Sequence, residues 1–139
     1  MSAPEGMTER EARQVIVIRR DLGMRRGKEI AQGAHASGMW LTERLARLES
    51  WPPGLHALTL GEAERAWLGS GFTKVTCQVA SQGELEAVFE RAGLLGVEAH
   101  LVTDAGRTEF GGVPAVTALA VGPDWAENVD KVTGELRLY

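Results

Sequence analysis

Val15-Ile16-Val17-Ile18-Arg19-Arg20-Asp21-Leu22-Gly23-Met24-Arg25-Arg26-Gly27-Lys28 is the stretch that decides the fold. Its opening, with Gln14 before it, is a β-branched apolar run, the signature of a buried strand. The part bounded by Gly23 and Gly27 is a loop. Over residues 28–49, Ile30, Ala34, Leu41, Leu45 and Leu48 recur at spacings of three and four. That periodicity predicts a helix with those side chains on its core stripe. The small residues Ala31, Gly33, Ala34, Ala36, Ser37 and Gly38 in its first turns predict another element packed very close. A strand, a glycine loop and a helix in that order open an α/β domain.

Working outward, Trp51-Pro52-Pro53-Gly54 ends the helix and an irregular stretch runs to about residue 61. Residues 62–68 suit a short helix, and 74–79 alternate as a half-buried strand. Ser81 with Glu84 is a capping box that opens a helix with Leu85, Val88, Phe89 and Ala92 inward, closed by Gly96. A strand over 97–102, a loop over 104–114 and an apolar strand over 115–121 follow. Pro123-Asp124 starts a last helix, with Asp124 as cap and Glu127 completing a box. Leu136-Arg137-Leu138-Tyr139 is available as a final short strand. The reading is a flexible tail over 1–12 and one domain over 13–139. The class is α/β, with a mixed four-stranded sheet, five-stranded if the last residues add an edge, and helices on both faces. No internal repeat or linker is present.

Composition sets the outer limits. With 139 residues, 44% of them hydrophobic and 24% charged, the chain is one domain's worth and is not disordered throughout. No apolar run reaches the roughly 18 residues of a membrane span. The polar, acidic start lacks the pattern of a signal peptide. A single cysteine, Cys77, excludes an internal disulfide and a cysteine-rich zinc site, and makes a reduced, cytoplasmic setting the expectation. The net charge of −4 argues against nucleic acid as a partner, yet residues 13–28 hold six basic side chains and one acid. That segment is +5, so the rest of the chain is −9. A local basic patch can still hold phosphates, because exposed charges are screened within about 10 Å. A solvated basic edge is the plainer reading.

The spacing Gly23-x-x-x-Gly27-Lys28 resembles a phosphate loop but is one residue short, and Glu29 stands where the motif needs Ser or Thr for magnesium. What survives is a helix start with free N–H groups beside Arg25, Arg26 and Lys28, a place that favours an anion. Lys28, Gln32 and His35 share one face of the predicted helix, away from the apolar stripe. They make either a polar site or ordinary surface, and His35 could instead be a buried structural histidine. Thr103-Asp104-Ala105-Gly106-Arg107-Thr108 follows a strand, where open α/β sheets hold ligands. There Asp104 could orient a water or a lysine, and Gly106 allows a tight turn. No Gly-x-Ser-x-Gly elbow is present. Cys77 alternates with core valines and suits packing. His56 and His100 have no partner at metal spacing.

The blocks 15–28, Ala31-Gln32, His35-Ala36, Asp104-Ala105-Gly106-Arg107-Thr108, the strand over 117–123, and Asp130-Lys131-Val132-Thr133-Gly134 closely resemble the peptidyl-tRNA hydrolase type II family. The resemblance runs from about residue 14 to the end. It implies hydrolysis of the ester joining a peptide, or an N-acylated amino acid, to the terminal ribose of tRNA. It implies no metal or organic cofactor, peptidyl-tRNA as partner, no membrane, and homodimerisation. By motif position it implies that Lys28, Asp104, Thr108 and Thr117 are catalytic. Gln32 and His35 match the family's helical motif. The chain departs from the family's Met-Gly-Lys-Gly-Lys, reading Met24-Arg25-Arg26-Gly27-Lys28, and carries an insertion around residues 52–62.

The expected mechanism is attack by water. Asp104 positions or deprotonates it, Lys28 tunes Asp104 or stabilises the oxyanion, and the hydroxyls of Thr108 and Thr117 assist. His35 is the rival base, because imidazole titrates nearest neutrality. Arg19, Arg25, Arg26 and Arg107, with Gln32, form the expected tRNA-binding set. The alternatives are a non-catalytic RNA- or partner-binding domain of the same fold, and a related esterase with another acyl substrate.

Overall fold

The computed structural model describes residues 10–107 and 109–139. Strand β1 (Ala12–Arg19) leads through the glycine loop to helix α1 (Arg26–Ala46), extended by a 3-10 turn (Arg47–Ser50). Then come α2 (Glu62–Gly69), β2 (Lys74–Val79), α3 (Gln82–Leu94), β3 (Ala99–Asp104), β4 (Ala115–Trp125), α4 (Ala126–Thr133) and β5 (Arg137–Leu138). The sheet has five strands in the order β3-β4-β1-β2-β5. β1 and β2 are parallel, while β4 is antiparallel to both β1 and β3, and β5 is antiparallel to β2. The fifth, two-residue strand is the expected edge. The sheet is mixed, as expected, and β1, β2 and β3 end on the same side.

Alternation along β1 feeds two cores. Val15 and Val17 pack with Cys77, Val79, Leu119 and Val121 under α3 and α4, which contribute Leu85, Val88, Ala92, Val129 and Val132. Ile16 and Ile18 face the other way, with Ala118, Ala120 and Val102, under Ala36 of α1 and Met24. Trp40 of α1 and Trp67 of α2 meet edge-to-face over Ala12. Cys77 lies deep in the first core, and burial pushes its thiol pKa up.

Several expectations are corrected. In α3, Leu85, Val88 and Ala92 are buried as expected, but Phe89 is exposed. Helix α1 buries Gln32, Gly33, Ala36 and Trp40, and of the expected stripe from Ile30 to Leu48 only Leu41 packs against a core. Ile30 is 66% exposed and Leu45 45% exposed. The cause is packing distance. A Cβ built on Gly33 would stand 3.6 Å from Cγ2 of Ile16 and 3.7 Å from Cδ1 of Ile18, so the helix meets the sheet through its smallest residues. Polar groups on that side find partners inside: Ser37 Oγ donates to Gln14 Oε1, and Gln14 Nε2 donates to the carbonyls of Ser37 and Gly122. The last helix also begins later than expected, because β4 continues through Pro123 and Asp124. Asp124 accepts from the Trp125 amide and from Asn128 Nδ2, while Glu127 pairs with Arg10. At Ser81 the cap forms, with Ser81 Oγ accepting from the Glu84 amide, but Glu84 reaches back to the Ala80 amide, one residue before the cap, instead of closing the box.

Candidate active site

The β1–α1 loop and the β3–β4 loop both leave the sheet on the side where β1, β2 and β3 end. Lys28, in the first turns of α1, and Asp104, the last residue of β3, therefore meet although 76 residues separate them. Lys28 Nζ donates to Asp104 Oδ1 at 2.7 Å, and each side chain is 14% exposed. The Gly106 amide donates to the other oxygen, Oδ2, at 2.8 Å. These contacts, with the charge of His35 nearby, hold the Asp104 carboxyl below its ordinary range. The lysine hydrogen bond is the main cause, and partial desolvation opposes it.

Gly106 is the hinge of this arrangement. Its φ is +78°, a conformation that L side chains resist. A Cβ there would fall 2.1 Å from the Val113 carbonyl oxygen. The loop closes on itself at that point, with the Gly112 amide donating to the Gly106 carbonyl at 2.8 Å. A cavity of about 310 Å³ beside it is lined by Gln32, His35, Met39, Val102, Thr103 and Asp104. The residues expected on one helix face thus do share a site, but they do not share an environment. His35 is exposed and Lys28 partly buried, whereas Gln32 lies inside.

Gln32 lies on the buried face of α1, and Thr117 turns toward it because β4 bulges. Val102 pairs with Ala118 and Thr103 with Val116, which leaves Thr117 as the extra residue between them. Thr117 is fully buried, and its hydroxyl donates to Gln32 Oε1 at 2.5 Å. Two residues expected to serve catalysis and tRNA binding are therefore each other's partner within the fold. Thr108, expected to be catalytic, lies outside the described residues.

The basic set divides in the same way. Arg19 is committed internally, with a bidentate pair to Asp21 at 2.8 and 2.9 Å and further bonds to Gln82 and the Val116 carbonyl. Arg26 and Arg107 are exposed. Arg25 is 81% exposed along its side chain, yet its Nε donates to Glu109 Oε1 at 2.6 Å. That pair holds the Glu109 carboxyl below its usual range. Phe110 lies near the Lys28 ammonium, 5.8 Å from ring centre to Nζ, and packs against the core under α1. Sequence reasoning missed Glu109 and Phe110. The available signal was an acid and an aromatic in a ligand-side loop, opposite a basic loop.

Among the described residues, no three His, Cys, Asp or Glu side chains are grouped to hold a metal ion, and no helix is long and apolar enough to cross a membrane. His56 bonds the Pro52 carbonyl, and His100 pairs with Glu43 and Glu98. The chemistry on offer is that of a carboxylate held ionised beside an ammonium, at the edge of a small cavity and a basic rim. Such a pair can orient water and stabilise a developing negative charge.

Residues 12–139 match the family model described as Peptidyl-tRNA hydrolase PTH2. A protein of Aeropyrum pernix named peptidyl-tRNA hydrolase is 41% identical over 136 residues, covering 96% of this chain and 100% of its own. Similarly named proteins of Halobacterium salinarum and Methanocaldococcus jannaschii are 39% and 36% identical, over 91% of this chain and 99% and 98% of theirs. A solved structure of a protein of unknown function from Agrobacterium tumefaciens strain C58 superposes with a TM-score of 0.54 at 11% identity, over 93% of this chain and 98% of its own. That likeness bears on the fold alone.

Proposed function

The chain belongs to the peptidyl-tRNA hydrolase PTH2 family, and from that premise we propose how its own residues carry out the reaction. The protein is an enzyme that hydrolyses peptidyl-tRNA, freeing the tRNA from the peptide. Lys28 and Asp104 are the catalytic pair. The observation that carries this assignment is their 2.7 Å contact, with the second Asp104 oxygen fixed by the Gly106 amide.

In the proposed step, Asp104 accepts a hydrogen bond from water and aims its oxygen at the ester carbonyl carbon. The carbon–oxygen bond to the ribose breaks, and the proton lost by water ends on the ribose oxygen. The positive charge of Lys28 stabilises the oxyanion of the tetrahedral intermediate. Because Lys28 and the Gly106 amide hold the Asp104 carboxyl below its ordinary range, we assign it to position water rather than to abstract a proton. His35, on the rim of the same cavity, is the group we assign to carry the proton. Thr108 remains in the proposed set through its motif position. Gln32 and Thr117 act as positioning residues that hold α1 against β4, and Arg25, Arg26 and Arg107 meet tRNA phosphates. We place the enzyme in the cytoplasm. We also propose self-association through the uncovered apolar side of α1 around Ile30, which Ile30→Asp would abolish in sedimentation.

Release of tRNA from N-acetyl-aminoacyl-tRNA tests the assignment. Lys28→Ala and Asp104→Asn should each cut kcat by about 10²- to 10³-fold while tRNA binding survives. Wild-type turnover in both variants would overturn it.

A further inference from the structure

On the opposite face of the sheet from the candidate catalytic pair, α3 and the C-terminal segment enclose a cleft of about 530 Å³. Its floor is apolar, formed by Val79, Val88 and Leu136, and Arg20, Arg91 and Arg137 line it. Elsewhere in this protein an arginine near an acid is visibly used: Arg19 grips Asp21, and Arg44 grips Glu64 and Glu98. In the cleft the pattern differs. Among the described residues, the side chains of Arg91 and Arg137 have neither a hydrogen-bond nor an ion-pair partner. Arg20 stacks over the Tyr139 ring at 4.1 Å and keeps only a loose 3.5 Å pair with Glu29. Two acids also line the cleft, Glu84 and Glu135. Glu84 is turned back to the Ala80 amide as part of the helix cap, which leaves Glu135 as the one opposing charge.

Three arginines gathered against one opposing acid in the cleft, two of them without a partner among the described residues, indicate an anionic ligand on a chain of net charge −4. The cleft also adjoins the basic end of the sheet. Arg20 follows Arg19 directly, and its amide donates to the Val79 carbonyl in the cleft floor. Asp104 lies at the end of β3 and Val79 at the end of β2, three strand spacings away in the sheet order. That is about 14 Å, a distance a single strand of RNA covers in a few nucleotides.

We propose that this cleft is a second phosphodiester-binding site, which holds the tRNA backbone after it has crossed the end of the sheet from the catalytic face. The proposal rests on tRNA being the substrate, as argued above. Arg20, Arg91 and Arg137 contact phosphates, and the valine and leucine floor accepts the apolar faces of riboses. An acidic protein segment would satisfy the same charges. Continuity with the basic loop beside Lys28 favours RNA.

The test is the double variant Arg91→Gln/Arg137→Gln, assayed on full-length N-acetyl-aminoacyl-tRNA and on the N-acetyl-aminoacyl ester of adenosine alone. KM for the full-length substrate should rise roughly tenfold, and the slope of log Kd for uncharged tRNA against log salt should fall by about 2. The loss on the adenosine ester should be at least about five times smaller. Glu135→Gln should act in the opposite direction and tighten tRNA. An unchanged salt slope and KM would overturn the proposal and point to an acidic protein or to bare solvent as the occupant. An equal loss on both substrates would overturn it as well, because it would mean general distortion. If wild-type protein hydrolyses neither ester, the functional reading fails, while the salt titration still decides the cleft.

Discussion

Helix α1 and strand β3 are tied together at both ends, each time by a cation of the helix and an anion of the strand or its approach. At one end Lys28 meets Asp104, and at the other Arg44 meets Glu98. The spans agree: 16 helical residues cover about 24 Å, and six extended ones about 20 Å. The chemistry does not agree. Arg44 forks onto both oxygens of Glu64 at 2.8 and 2.5 Å, reaches Glu98 at 3.0 Å, and lies over the Trp40 ring. Glu98 in turn faces His100, whose Nδ1 lies 2.8 Å from Glu43. That end is a closed network joining α1, α2 and β3. The Lys28 end borders a cavity and a loop that closes around one glycine. A planar guanidinium fork suits architecture, and a compact ammonium suits chemistry.

The sharpest way to break this contrast is to exchange the cations. Lys28→Arg keeps the charge and should still lower kcat by about 10²-fold with little change in Tm, because the planar group cannot take the same place beside Asp104. Arg44→Lys should leave turnover near wild type and cost about 1–2 kcal/mol in urea unfolding. Equal behaviour of the two swaps would erase the distinction. Next in size is Gly106→Ala. Its Cβ would collide with the Val113 carbonyl, so the loop must shift and the Asp104 oxygen loses its amide donor. Turnover should fall roughly tenfold. A loss confined to Tm would mean that the loop serves stability only.

Arg44→Ala should destabilise by about 2–3 kcal/mol, since it strands Glu64 and Glu98 in a partly enclosed place, with kcat retained. The smallest effect is one of pH. His100 has its pKa raised, chiefly by Glu98 and then by Glu43. Its contribution is therefore complete below the ordinary value of 6.5 and fades as pH climbs through the raised folded value. His100→Gln should cost about 1 kcal/mol near pH 5 and nearly nothing near pH 9. Asp104 has the opposite sign. Its carboxylate contribution is present above 3.8 and lost as pH falls through the depressed folded value. The acid limb of turnover due to Asp104 should therefore lie under 3.8, and a limb near neutrality that moves in Asp104→Asn would contradict the assignment.

The element order was legible because strand and helix periods differ and because Gly and Pro punctuate them. Lys28 and Asp104 were legible through their motifs, and the strand-end rule placed both loops on one side. What periodicity misjudged was the face of α1. Its small residues, gathered over 31–38, do signal a close neighbour, but periodicity assigns the core to the stripe of large apolar ones and not to Gly33 and Ala36. The sheet selects for closeness, and closeness favoured the small side. Thr117 was legible as a motif residue but not as Gln32's partner. A bulge redirects it, and a bulge is a property of two strands in register, invisible in either alone. Arg25 was legible as a cation but not as Glu109's partner, because that contact spans 84 positions.

Cys77 sits in the middle of β2 against the valines of β1, and it is the sole thiol of the chain. An alkylating reagent can reach it only while β2 is parted from its neighbours, and the raised pKa slows the reaction further. The labelling rate, divided by that of an unfolded control, is then a clock for the opening of the central sheet, read without any engineered probe. Run with and without tRNA, the clock measures how far substrate at the end of the sheet restrains its middle.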